Sequence, residues 1–250
     1  MKIVVTGGSG ALGSQVVQRL RKGGADAIAA SRRTGFDLAT GVGLASVLAD
    51  ADVIVHAATH PTRYRKVDLD GTRRMISLLQ QRPPARPAPH LIYISIVGCD
   101  RNPYPYYRAK YACELVLERS GLPVTVVRAT QFHTLVAAIA GALGHGPAAL
   151  VPPLTFQSID HLRVAERLAE TALDAAPAGY CRGPDLAGPE RTTLAEAIGT
   201  LRRQDGRTAP KLIRLPSIGG TLKSFAAGSN LPAEGAVIGG PGFSDWVVSR

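Results

Sequence analysis

The stretch TGGSGALGS, residues 6–14, leaves this chain few architectures to choose from. It follows a short apolar run, KIVVT (2–6), and opens a segment with helical spacing, LGSQVVQRLRKGG (12–24), in which Leu12, Val16, Val17 and Leu20 fall on one side. A buried strand passing through glycines into an amphipathic helix is the opening unit of a parallel α/β sheet. Gly7, Gly10 and Gly13 stand in G-x-x-G-x-x-G spacing, with Ser9, Ala11 and Leu12 among them. A pyrophosphate must come close to the backbone, so side chains are excluded there. The helix N-terminus offers it N–H groups and a partial positive charge. Gly13 would let the helix pack tightly on the strand. The loop is therefore the expected phosphate cradle of a dinucleotide site.

The same alternation continues. ADAIAAS (25–31), DVIVHAAT (52–59), HLIYISIVG (90–98) and PVTVVRATQF (123–132) read as strands; GLASVLADA (43–51), VDLDGTRRMISLLQQR (67–82) and YYRAKYACELVLERSG (106–121) read as helices. The proline-rich PPARPAP (83–89) can only be a loop. Strands regularly spaced by helices imply an α/β fold, a doubly wound parallel sheet of Rossmann type covered on both faces. Between Ser31 and Leu44 there is little room for a full third strand and its connections. Beyond residue 132 the rhythm weakens, although LAEAIGTLRRQDGR (194–207) reads as a helix. The expected division is a dinucleotide-binding domain over 1–132 and a smaller substrate-covering region over 133–250 that contributes partly to the sheet.

Composition narrows the partners. With 250 residues, 45% hydrophobic and 19% charged, the chain can bury a large core and is not disordered. TLVAAIAGALG (134–144) falls short of the ~20 residues that span a bilayer, so it is expected to be a buried helix, with no membrane partner. Met1-Lys2 leads straight into the first strand, so no targeting segment is expected. The formal charge is +10, but the arginines are scattered in ones and twos without a zinc-finger, basic-helix or aromatic-interleaved pattern. A generally basic surface that gathers an anionic ligand is expected, not nucleic-acid binding. Cys99, Cys113 and Cys181 are odd in number and match no metal-ligand spacing, nor do His60, His145 and His161. No metal is expected, and a reducing cytoplasm fits.

The end of the second strand selects the dinucleotide. An acidic residue there would accept the ribose 2′-hydroxyl and favour NAD(H). This chain has Ser31-Arg32-Arg33 instead, and guanidinium groups suit a 2′-phosphate, so NADP(H) is expected over NAD(H).

The reacting groups are sought in PYPYYRAKYACE, 103–114. Tyr106 and Lys110, four apart, lie about 40° apart around a helix and can face one cleft. A nearby ammonium favours the phenolate and lowers a tyrosine pKa that is otherwise near ~10. Ser95, in the strand just before this helix, could hold a carbonyl oxygen beside the phenol. Tyr107 is the competing phenol, and Glu114 a surface partner available to Lys110. His56, on an apolar strand, is expected to be a satisfied core histidine and Cys99 inert packing. Gln131, Phe132 and His133 are candidates for substrate contact.

These residues resemble the short-chain dehydrogenase/reductases. The likeness rests on TGGSGALG, the S-x-x-G of Ser95 to Gly98 and Tyr106-x-x-x-Lys110, and the glycine spacing is similar to the extended and atypical (NmrA-like) branches. It covers residues 1–135 well and VRATQF and FQSIDHLRVAE (156–166) more loosely. The resemblance implies Tyr106 as general acid/base, Lys110 on the nicotinamide ribose and tuning Tyr106, and Ser95 orienting the carbonyl. It also implies Asp37 and Leu38 at the adenine, Ala57, Ala58 and Thr59 beside the ribose, and a homodimer. One motif departs: where the family often has asparagine in N-x-x-G-T, this chain has Asp68-Leu-Asp-Gly71-Thr72. The implied activity is NADPH-dependent reduction of a carbonyl, or oxidation of an alcohol, on a small molecule. The alternatives are an NmrA-like redox sensor without catalysis, and a redox-neutral epimerase, dehydratase or isomerase with tightly held NADP.

Overall fold

The computed structural model describes residues 1–83 and 85–249; Pro84, within the expected proline-rich loop, and Arg250 lie outside the described residues. In chain order the first elements are β1 (Lys2–Thr6), α1 (Ala11–Lys22), β2 (Asp26–Ala30), α2 (Leu44–Leu48), β3 (Val53–His56), α3 (Asp70–Gln80), β4 (His90–Ile96), α4 (Pro105–Glu118) and β5 (Val124–Ala129). Then come α5 (His133–Leu143), β6 (Ala148–Val151), β7 (Thr155–Phe156), α6 (His161–Leu173), β8 (Tyr180–Arg182), β9 (Leu186–Ala187) and β10 (Thr192–Thr193). The last are α7 (Leu194–Gln204), β11 (Lys211–Arg214), α8 (Gly219–Ala226), β12 (Val237–Ile238) and α9 (Phe243–Val248). They form two compact units, one of residues 1–95, 108–128 and 164–183, the other of 96–107, 129–163 and 184–250.

In the first unit the strands run β8-β5-β4-β3-β1-β2. The pairings β1–β2, β1–β3, β3–β4 and β5–β8 are all parallel. β2 and β3, successive strands, flank β1 on opposite sides, so the winding reverses at β1 and opens a crevice at the strands' carboxyl ends. No strand lies outside β2 among the described residues. Residues 31–43 instead hold a single 3-10 turn, Arg32–Thr34, in which the Ser31 N–H donates to Thr34 Oγ1 at 2.9 Å, and send Phe36 and Leu38 into the core. That core joins Val4, Ile54, Leu91 and Tyr93 to Met75 and Leu79 of α3 and Cys113 and Leu117 of α4. α3 is entered through a π-helical turn, Arg65–Leu69, in which Asp68 is buried.

In the second unit α5, α7 and α9 pack Val136, Ala140, Leu194, Ile198, Phe243 and Trp246 together with Phe156. Thr193 and Glu196 form a capping box that opens α7. Three short ladders complete the unit: β6–β11 and β9–β12 parallel, β7–β10 antiparallel. α5 corrects an expectation: it is not buried all round, since Val136, Ala137 and Ala140 face inward while Leu135 is 50% exposed. No helix among the described residues is long and apolar enough to cross a membrane.

Candidate active site

The glycine loop is shaped by contacts that a side chain would destroy. Gly7 has φ +70°, and a Cβ there would meet Ala58 Cα at 2.8 Å; one on Gly13 would meet the Gly7 carbonyl oxygen at 2.3 Å. The first glycine thus lets β3's continuation, Ala57-Ala58, close against the loop, and Thr6 Oγ1 accepts the Ala58 N–H at 3.3 Å. Leu12 and Gly13 are buried, while Ser9, Gly10 and Ala11 face solvent. α1 starts after an extended Gly10 with no side-chain cap, so its leading N–H groups are open to an anion. Ser9 Oγ and Ser31 Oγ are 2.7 Å apart, which ties the loop to the end of β2. Arg32 and Arg33 follow there, both exposed. A close-approach cradle, an uncapped helix start and two adjacent guanidinium groups fit a dinucleotide phosphate. Further along, Asp37 Oδ1 accepts the Ala39 N–H at 2.8 Å and Leu38 is 4% exposed, so its side chain belongs to the core.

Lys110, on α4, is buried in the first unit. Its ammonium lies 3.8 Å from Asp68 Oδ1 and 4.3 Å from the centre of the Tyr93 ring. Asp68 also accepts from Thr59 Oγ1 at 2.6 Å and from the His60 N–H at 3.1 Å. Burial pushes the Asp68 carboxyl above its ordinary range, against the opposing pull of Lys110, Thr59 and His60. Neighbouring His56 bonds Thr6 Oγ1 through Nδ1 at 2.7 Å and Thr72 Oγ1 through Nε2 at 2.9 Å. Burial, aided by Lys110, holds its pKa down at about 3, so it is a neutral core histidine. Ser95, near the end of β4, is 2% exposed.

The sequence offered Glu114 to Lys110 as a surface partner, and the surface location is corrected. Glu114 is 2% exposed and takes Arg128 in a two-pronged pair, Oε1 to Nε at 2.9 Å and Oε2 to Nη2 at 2.6 Å. The buried arginine on β5 offers a fork that a carboxylate matches better than an ammonium does. Asp68 entered the sequence argument only as a departure from an amide. The carboxylate in place of that amide was the one local signal, and nothing in the sequence tied it to Lys110.

The two tyrosines of α4 differ. Tyr106, one turn before Lys110 along the helix, is half-buried. Tyr107, in the second unit, is 5% exposed and accepts a hydrogen bond from Gln131 Nε2 at 2.7 Å. Burial pushes its pKa well above the ordinary phenol value, which keeps it neutral. Gln131 and His133 are committed to bonds inside that unit. His133 Nδ1 is 2.8 Å from Ser158 Oγ and its Nε2 is 3.1 Å from the Pro241 carbonyl. Phe132 is half-buried, 6.4 Å from the His161 ring. Cys99 is 1% exposed. Among the described residues no cluster of His, Cys, Asp or Glu could hold a metal ion.

A parallel sheet reversing at a glycine-lined crevice defines a nicotinamide-dinucleotide-binding α/β protein of the short-chain dehydrogenase/reductase type. Residues 3–133 match the family described as NAD dependent epimerase/dehydratase, and the chain belongs to that family. No curated protein matches the chain. Among solved structures it is similar to MoeE5 in complex with UDP-glucuronic acid and NAD, with a TM-score of 0.75, 15% identity, and 100% of this chain and 97% of the other covered. It is similar to the UDP-glucose 4-epimerase of Thermus thermophilus in complex with NAD, with a TM-score of 0.70, 18% identity, and 99% and 97% covered. It is also similar to an NADPH-dependent quinone oxidoreductase of Escherichia coli complexed with NADPH, with a TM-score of 0.69, 17% identity, and 98% and 90% covered. Identities this low establish the shared fold.

Proposed function

We propose that this chain is an NADP(H)-dependent enzyme that interconverts a carbonyl and an alcohol on a small organic molecule. The observation that carries the proposal is Lys110, an ammonium held in the interior by Asp68 and the Tyr93 ring, one helical turn from Tyr106. When bound, the nicotinamide gives or takes a hydride at the carbon that bears the reacting oxygen. Tyr106 gives its hydroxyl proton to that oxygen in the reducing direction and recovers one in the oxidising direction. Lys110 favours the phenolate left behind, and Ser95 orients the oxygen. Gly7 to Gly13 receive the pyrophosphate, Ser31, Arg32 and Arg33 the 2′-phosphate, Asp37 and Leu38 the adenine, and Ala57, Ala58 and Thr59 the ribose. Cys99, Cys113 and Cys181, the first two buried and the third exposed, fit a reducing cytoplasm.

A redox-neutral course, epimerisation or dehydration with the cofactor retained, uses the same residues and draws on the UDP-glucose 4-epimerase among the similar structures. Net reduction is preferred because the two arginines suit the phosphate that distinguishes NADPH from NADH. Tyr106→Phe separates chemistry from binding. Under the proposal it abolishes NADPH-dependent carbonyl reduction and leaves NADPH affinity intact; unchanged turnover would refute the role. Purified protein that carries a cofactor which never exchanges would favour the redox-neutral course.

A further inference from the structure

A chain of amides in the second unit fixes the direction of one hydrogen bond. Asn230 Nδ2 lies 2.9 Å from the Thr155 carbonyl oxygen, which only the amide nitrogen can serve, so the orientation of this side chain is set. The same nitrogen donates to Gln131 Oε1 at 3.3 Å, which orients Gln131 in turn. Gln131 Nε2 is then the atom facing the Tyr107 hydroxyl at 2.7 Å, and it donates. The Tyr107 oxygen is the acceptor of that bond, and its own proton must point elsewhere. Among the described residues no atom accepts that proton. A buried donor left unpaired is costly and calls for a partner.

The surroundings indicate which partner. Tyr107 meets Phe225 edge-on at 5.5 Å and Tyr104 at 6.0 Å, and Tyr104 and Phe225 are 6.3 Å apart. Tyr104 is 42% exposed and Phe225 half-buried, so this aromatic cluster reaches from solvent to the buried hydroxyl. α8, which carries Phe225, begins at Gly219 and is followed by Gly228, both at positive φ.

We infer that the Tyr107 hydroxyl is a fixed hydrogen-bond donor to an acceptor oxygen of an aromatic carbonyl substrate, a quinone or aryl ketone, held against Tyr104 and Phe225. This rests on the functional proposal above and names the substrate class for it. Tyr107 is then a specificity residue and Gln131 the positioning residue that aims its proton.

The test uses 1,4-naphthoquinone, in NADPH-dependent turnover and in calorimetric titration of the NADP⁺-loaded protein. Tyr107→Phe is expected to raise both KM and Kd for the quinone about tenfold, with the Kd for NADPH unmoved. Gln131→Glu supplies a carboxylate that would turn the Tyr107 proton inward; Gln131→Met supplies no acceptor. The glutamate variant is expected to bind the quinone about tenfold more weakly than the methionine variant, and this gap should vanish in the Tyr107→Phe background. Equal affinities for Gln131→Glu and Gln131→Met, a wild-type Kd for Tyr107→Phe, or no quinone binding by the wild type would each overturn the inference. Failure of the functional proposal looks different: Tyr106→Phe would keep its turnover while the Tyr107 effects on quinone binding persisted.

Discussion

The ammonium of Lys110 stands 3.8 Å from a carboxylate oxygen of Asp68, with 3% and 0% of the two side chains exposed. Both charges are withdrawn from water, and the desolvation of each is offset in part by the other, beside the Thr59 and His60 bonds to Asp68 and the Tyr93 ring face on Lys110. Removing one partner leaves an uncompensated charge in the interior. Asp68→Ala is expected to lower unfolding free energy by about 3–5 kcal/mol, with the loss partly recovered in Asp68→Ala/Lys110→Met. Urea denaturation of the single and double variants checks this; a single variant within about 1 kcal/mol of wild type would mean that the pair is not formed.

Acid stability should be governed in part by His56. Its folded pKa, about 3, lies below the ordinary 6.5, so the unfolded chain binds a proton that the native state refuses. The native state is therefore penalised as pH falls through about 6.5, by up to about 1.4 kcal/mol per unit, and the penalty levels off near pH 3. His90 and His133, also lowered by burial, act in the same direction, whereas the raised Asp68 opposes it. His56→Gln should flatten the dependence of stability on pH between 4 and 6 by about one proton, as read from denaturation midpoints.

The two exposed arginines after β2 should decide between dinucleotides. Arg32→Ala/Arg33→Ala is expected to weaken NADPH binding about 10- to 100-fold and to leave NADH binding within a factor of about three, measured by fluorescence titration. Parallel losses for both cofactors would show that the arginines do not read the phosphate.

Gly13→Ala places a methyl 2.3 Å from the Gly7 carbonyl oxygen, closer than any real contact, and the nearest atoms are backbone. The loop must then move off α1. Dinucleotide affinity is expected to fall at least about tenfold, with a measurable drop in melting temperature. Gly24→Ala, where nothing lies within 4 Å but φ is +81°, should cost stability alone.

Much of the first unit could be read from residue order. A glycine loop is a local signal, and buried strands alternating with amphipathic helices show their period over a dozen residues. The short space between Ser31 and Leu44, read as too small for a full third strand, holds only the 3-10 turn Arg32–Thr34 as a regular element. What escaped were relationships with no local period. Asp68 and Lys110 are 42 positions apart in sequence, and an aspartate ahead of a helix reads as solvated until its burial is seen. Glu114 sits at the helical spacing that pairs charges, yet a strand arginine claims it. The ladders of two to four residues between β6 and β12 are too short to show alternation, and packing around Phe156, Phe243 and Trp246 holds that region together.

The π-helical turn at Arg65–Leu69 sets the register of everything that follows it in α3. Its bonds close over five residues instead of four, so the turn holds one residue more than its α-helical counterpart. Deleting one residue between Tyr64 and Val67 would let the coil wind through without the bulge. It would also swing the Asp68 carboxylate by about 100° around the axis. The register of one turn therefore determines whether Lys110 keeps its buried counter-charge.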